Sequence, residues 1–332
     1  MKKRVRGVFA AGVIGFSVMA AGPWASAQAT KTGPKGPVSR PEAKLPEGVK
    51  ALRGVEFAKV GGKSLLLDIY TPTEPKGKLP LVVWIFGGAW RGGSKEHGPG
   101  FNAIGAVVPR GYVMACISHR FSQDAIFPAQ IEDCKAAIRF LRASAAKYSI
   151  DGDHIGVWGE SSGGHLSALL GTSGDVNDLE GQVGDNLGVS SRVQCVVDYC
   201  GPSDFMKFEG HPTWVKVDDP KSPVCQLVGG LLADRKALVA KANPITYITR
   251  DDPPFLVAHG DKDNAVPFNQ SELLVDALKR GGVDVTFEVI KGGGHNFGPA
   301  QYERLAPVVM AFFDKHLKGA GATPRASEKA RN

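Results

Sequence analysis

The pentapeptide Gly159-Glu160-Ser161-Ser162-Gly163 is where residue type and spacing first suggest chemistry. It stands between the apolar run IGVW and the helical stretch SGGHLSALLG, so it joins a strand to a helix. In such a turn the glycines leave room for a strained backbone that exposes the central hydroxyl, and the first N–H groups of the helix point to where an oxyanion would form. The pentapeptide alone also fits an ordinary Gly/Ser turn with Ser161 as a helix cap. What separates the two readings is whether a base and an acid accompany the serine.

A serine hydroxyl needs a partner to accept its proton. With the order serine, acid, histidine that goes with an elbow on this type of sheet, only the histidines after Ser161 qualify. His165 lies one turn along the same helix, His211 sits in an irregular stretch, and His259 ends a strand ahead of the acid. His316 closes a helix, where a positive charge would meet the dipole. His295 stands in KGGGHNF, directly after the strand VTFEVI, and is the expected base. The segment FLVAHGDKD offers Asp261 and Asp263. Asp263, deeper in the loop, is expected to orient the imidazole, and Asp261 to make a turn contact with its own backbone. Asp204, in GPSD, is the alternative acid.

The strand LVVWI runs into Phe86-Gly87-Gly88-Ala89-Trp90. Glycines let the backbone turn its N–H groups inward, so Gly88, Ala89 and Ser162 are the expected oxyanion donors. Trp90 and Arg91 beside that loop, Phe297 beside the base, and Trp214 further along are expected to wall the substrate site. These roles require no metal and no organic cofactor, and the histidines are not spaced from the cysteines as zinc ligands would be.

Residues so scattered need a scaffold that brings strand ends together. Strand-like runs stand at 55–60, 65–70, 81–86, 112–118, 155–158, 193–199, 255–258 and 285–290, and helical stretches at 129–148, from about 162, at 270–280 and at 301–316. The alternation predicts an α/β protein: a mostly parallel eight-stranded sheet with helices on both faces and its chemistry in the loops at the carboxyl ends of the strands. Residues 202–250, rich in Pro and aromatics, read as a small cap or insertion after the sixth strand.

The chain has 332 residues and a formal charge of +7. Residues 1–27 combine four basic residues, a 16-residue apolar run and Ala-Ser-Ala, the pattern of a secretory signal peptide cleaved after Ala27. The run is short for a membrane anchor. Residues 28–50 read as a flexible linker, 51–318 as the catalytic domain and 319–332 as a flexible tail. The domain holds 28 basic and 30 acidic residues, a net of −2, so the positive charge lies in the termini and no nucleic-acid partner is expected. Five cysteines, 116, 134, 195, 200 and 225, are too sparse for a disulfide scaffold and read as buried thiols.

The segments WIFGGAW, FPAQIEDCKAAIRFLR, IGVWGESSGGHLSALLG, VDYCGPSDF, HGDKDNAVP and GGGHNF, in this order, resemble the α/β-hydrolase superfamily, and more narrowly its secreted acetyl-xylan and feruloyl esterase-like branch, the BD-FAE type. The resemblance runs from about Gly54 to Leu317. It implies an α/β-hydrolase fold, Ser161 as nucleophile, His295 as general base and then acid, Asp263 as its orienter, and a small-molecule or polysaccharide-linked acyl ester as substrate. The resemblance implies a position where relatives usually carry His; Phe86 stands there in this chain and cannot make the side-chain hydrogen bond a His would make. Alternative readings are an exopeptidase or lipase-like hydrolase of the same fold, or a catalytically silent binding module. Oligomeric state is left open.

Overall fold

The structure is a computed structural model that describes residues 45–319, apart from 175. The expected signal peptide, most of the linker and nearly all of the tail lie outside the described residues. Eight strands form one sheet: β1 (Val49–Val60), β2 (Lys63–Pro72), β3 (Leu79–Ile85), β4 (Val113–Ile117), β5 (Ile150–Glu160), β6 (Cys195–Tyr199), β7 (Phe255–Gly260) and β8 (Val285–Ile290). They lie in the order β1-β2-β4-β3-β5-β6-β7-β8. β1 pairs antiparallel with β2, and β2 with β4; from β4 to β8 every pairing is parallel. This is the mostly parallel, helix-flanked sheet of the α/β-hydrolase fold.

The central strands are apolar throughout because both faces are covered. In β3, Leu81, Val83 and Ile85 face one core while Val82 and Trp84, with Phe86 after the strand, face the other. The first core is closed by the helices Ala129–Ala143, Ser162–Thr172 and Asn269–Gly281, and the second by the helix Pro299–Phe313. All five cysteines are buried and free.

Boundaries differ from expectation in several places. The sheet takes in Val49 and Lys50, which the sequence assigned to the linker, because Lys50 and its neighbours pair with the end of β2. The helix from Ala129 ends at Ala143 and is followed by a single tight turn at Ala145–Tyr148. The last helix runs on into a wider turn, Asp314–Lys318, where the ring of His316 packs on Phe312 at 4.7 Å. Burial, with Lys315, lowers the His316 pKa, which disfavours the helix-end cation the sequence suggested. Between β6 and β7 the chain forms the expected insertion, with short helices at Pro223–Val228 and Lys236–Ala242.

Candidate active site

β5 leads directly into Ser161, and the helix Ser162–Thr172 begins at the next residue. Ser161 has φ 57° and ψ −121°, a backbone that side-chain-bearing residues rarely adopt. Two bonds hold it there: its N–H donates to the Tyr199 carbonyl at 2.7 Å, and its carbonyl accepts the His165 N–H at 3.0 Å. The turn closes only because Gly163 lacks a side chain. A Cβ there would stand 2.1 Å from the Ile85 carbonyl oxygen. The elbow is thereby pressed against the end of β3, the strand that feeds the glycine loop.

His295, on the loop after β8, meets Ser161 with Nε2 3.0 Å from Oγ and meets Asp263 with Nδ1 2.7 Å from Oδ2. Three residues from three strand ends thus form a continuous chain of hydrogen bonds. The acceptor facing Nδ1 is a carboxylate, so the proton sits on Nδ1, and Nε2 is free to take the serine proton. Asp263 is held by four donors. Oδ1 accepts the N–H groups of Ala265 at 2.8 Å and Val266 at 3.0 Å. Oδ2 accepts from His295 and, at 3.1 Å, from Nε2 of His259. Burial of Asp263 works against the anion, but the hydrogen bonds from His259 and His295 outweigh it and hold the pKa well below the usual carboxylate range.

His259 is the partner that sequence reasoning passed over. It is buried, its Nε2 faces the Asp263 carboxylate and the Val266 carbonyl, and its Nδ1 lies 2.6 Å from the Ser271 hydroxyl. The four-residue spacing in HGDKD was the available signal.

Of the other expected acids, Asp204 caps the turn Phe205–Lys207 and accepts from Asn243, and Asp261 accepts the Gly292 N–H at 2.7 Å. Asp261 therefore anchors the loop that carries His295, rather than its own turn.

The glycine loop folds over the elbow. Gly88, Ala89 and Trp90 all have positive φ, at 138°, 56° and 56°. The Gly88 carbonyl accepts from the N–H groups of Arg91 and Gly92, both at 3.1 Å, so the loop is a closed turn. Gly88, Ala89 and Ser162 border the same cavity as Ser161 and His295. Among the described residues no backbone carbonyl accepts from Gly88 or Ala89, and Ser162, as the first residue of its helix, has no carbonyl one turn back to bond. Phe86 is buried, stacked on His119 at 4.9 Å with an interplanar angle of 12°, and edge-on to Phe121. The loop is thus seated by ring packing.

The cavity measures about 350 Å³. Its outer wall comes from the insertion: Phe208, Trp214, Val215 and Val224, with Val266 opposite. Trp214 lines it and is 56% exposed. The other expected wall residues need correction. Arg91 turns outward, donating to the Lys221 carbonyl and Gln226. Phe297 is buried between Tyr199 and Tyr302, away from the cavity. Trp90 borders the cavity but is only 3% exposed, and its indole is committed to the core. Glu160 also lines the cavity; burial raises its pKa, against a hydrogen bond from Tyr302.

Ligand atoms of Cys200, Asp263 and His295 lie within 4.8 Å of one another. They do not suit a metal, because His295 Nδ1 is engaged with Asp263 and burial holds the Cys200 thiol protonated, whereas a ligating thiol must ionise.

A hydroxyl, an imidazole and a carboxylate in series at the carboxyl ends of β5, β8 and β7, with Gly88, Ala89 and Ser162 bordering the same cavity, define an α/β-hydrolase-fold protein with a serine-hydrolase type of site. The BD-FAE family model matches residues 67–278, and the chain belongs to that family. Esterase LipC of Mycobacterium tuberculosis is 32% identical over 252 residues, which cover 74% of this chain and 60% of the relative. The chain thus spans about three-fifths of that curated relative's length. Two solved structures are similar. A truncated carbohydrate esterase from gut microbiota is 34% identical with a TM-score of 0.69, covering 81% of this chain and 96% of that one. A bifunctional GH43-CE protein of Bacteroides eggerthii is 37% identical with a TM-score of 0.72, covering 83% and 39%.

Proposed function

We propose that the protein is an exported serine carboxylesterase that hydrolyses short-chain or aromatic acyl esters, with acylated plant polysaccharide as the substrate class. The observation that carries the reading is the relay in which Ser161 Oγ lies 3.0 Å from His295 Nε2 and His295 Nδ1 lies 2.7 Å from Asp263. Ser161 attacks the ester carbonyl as His295 takes its proton, and the N–H groups of Gly88, Ala89 and Ser162 bind the oxyanion. His295 then protonates the leaving alcohol, and water, activated by the same imidazole, releases the acid. The anionic Asp263 stabilises the transient imidazolium.

A cavity of about 350 Å³ lies at the small end of small-molecule sites and suits a short acyl group or a single aryl ring. Polysaccharide as the alcohol side draws support from the carbohydrate esterases among the similar structures. Export draws support from the basic, apolar and Ala-Ser-Ala order of residues 1–27. The test is hydrolysis of p-nitrophenyl acetate, acetylated xylan and methyl ferulate, with fluorophosphonate labelling. Ser161→Ala and His295→Ala should each reduce turnover by roughly three to six orders of magnitude with folding retained. Undiminished turnover in folded Ser161→Ala would overturn the mechanism, and absence of label on the parent protein would favour a silent module.

A further inference from the structure

The oxyanion loop and the elbow come from different parts of the chain, yet their N–H groups must converge on one oxygen. Packing of Phe86 seats the start of the loop, and Ser122 N–H to the Trp90 carbonyl at 2.8 Å secures its end. Neither contact reaches the helix that carries Ser162. One side chain does. His165, one turn along that helix and fully buried, accepts the Trp90 indole N–H on Nδ1 at 3.1 Å. Its Nε2 lies 2.7 Å from the Ala242 carbonyl, which can only accept, so the proton sits on Nε2 and Nδ1 is left as an acceptor. Burial pushes the His165 pKa down to about 4, which keeps the ring neutral and this tautomer in place.

The contact is enclosed. Trp90 meets His165 edge-on at 5.1 Å, and both rings pack on Phe205 from the insertion, at 5.5 and 5.3 Å. Trp90 directly follows Ala89, and both hold φ 56°, a backbone that must be imposed from outside by what surrounds it.

We propose that His165 is a positioning residue for ester hydrolysis: through the Trp90 indole it fixes the Gly88 and Ala89 donors relative to Ser162 and so sets the width of the oxyanion hole. The proposal rests on the esterase reading above and adds a residue that never touches substrate. Phe86 seats the loop by ring packing alone, and among the described residues the Trp90–His165 bond is the side-chain hydrogen bond that joins the two halves of the hole. Such a tether acts on the transition state, in which negative charge develops on the carbonyl oxygen, more than on the bound ester.

The test is the kinetics of Trp90→Phe, which keeps an aromatic ring but removes the donor. It is accompanied by His165→Asn, whose Oδ1 can stand where Nδ1 accepts, and His165→Leu, which cannot accept. Trp90→Phe and His165→Leu should lower kcat on p-nitrophenyl acetate by about 10- to 100-fold with KM within about twofold, the loss expected of a slightly misplaced donor. Affinity for a boronic-acid transition-state analogue should fall in parallel, and His165→Asn should recover most of kcat relative to His165→Leu. If His165→Leu does not fold, Trp90→Phe decides alone. A folded Trp90→Phe enzyme with kcat within twofold of the parent would overturn the proposal. Ser161→Ala run alongside separates the two failures: if it is inactive while Trp90→Phe is unimpaired, only the tether is wrong.

Discussion

Asp198 lies beneath the elbow, on β6, fully buried. One carboxylate oxygen accepts the Gly201 N–H at 2.9 Å, and the other has no partner among the described residues. Burial pushes its pKa from 3.8 up to about 7, against the single bond from Gly201. The unfolded chain releases this proton near pH 4 and the folded protein only near 7. Between those values the native state holds a proton that the unfolded state has lost, so stability falls as pH rises. The slope from this one group approaches about 1.4 kcal/mol per pH unit, and a shift of about three units gives a total of about 4 kcal/mol. Above about pH 7 its contribution levels off.

Asp198→Asn keeps an acceptor for Gly201 and removes the titration. The stability of the variant minus that of the parent should therefore climb with pH from about 4 to 7 and plateau above, whatever fixed offset the new amide introduces. Urea denaturation followed by tryptophan fluorescence, run on both proteins at several pH values between about 5 and 8, isolates this difference, because the other groups titrate in both. A difference that stays flat across that range would refute the reasoning and mean that the carboxyl is hydrated or paired in solution.

Two further outcomes follow from the same geometry. His259→Leu removes one of four donors to Asp263, a charge-assisted bond of about 1.5–3 kcal/mol, and should raise the folded Asp263 pKa by about one to two units. The stability conferred by a depressed carboxylate pKa is present above the unfolded value and lost as pH falls through the folded one, so the variant should unfold at a higher pH in acid titrations followed by circular dichroism. Superimposable curves would contradict the four-donor account. Gly163→Ala puts a methyl 2.1 Å from the Ile85 carbonyl, so the elbow must move. A loss of about 1–3 kcal/mol of stability is expected, with turnover reduced by about 100-fold in a p-nitrophenyl acetate assay.

Ser161, Asp263 and His295 were legible in the sequence because each sits just beyond a strand end, and the loops at the carboxyl edge of a parallel sheet are where side chains from distant positions meet. Side-chain direction was not legible. Arg91 and Phe297 are as close to the site in sequence as any residue, yet Arg91 follows three residues of positive φ and turns outward, and Phe297 falls between Tyr199 and Tyr302. Trp90 was read as a wall because it is aromatic and adjacent to the loop. Its indole N–H instead needed a buried acceptor, and His165, read only as a neighbour of the serine, supplies it. The start of β1 was missed for a related reason: Lys50 and the residues around it belong to the sheet through pairing with β2, which no local pattern announces.

Asp198 and Asp263 bring these levels together. Both are buried aspartates near the carboxyl ends of adjacent strands β6 and β7, and composition or spacing gives no reason for them to differ. Their charge states are decided by counting donors. Asp198 receives one N–H and is pushed towards neutrality; Asp263 receives two backbone N–H groups and two imidazoles and is held as an anion. Under the proposed mechanism, a carboxylate that stabilises an imidazolium in each cycle has to stay charged when its base is neutral as well as when it is protonated. The two backbone bonds from Ala265 and Val266 and the one from His259 do not change with the protonation of His295, so they meet that requirement. The role proposed for Asp263 therefore rests as much on the turn Asp263–Val266 and on His259 as on its contact with His295.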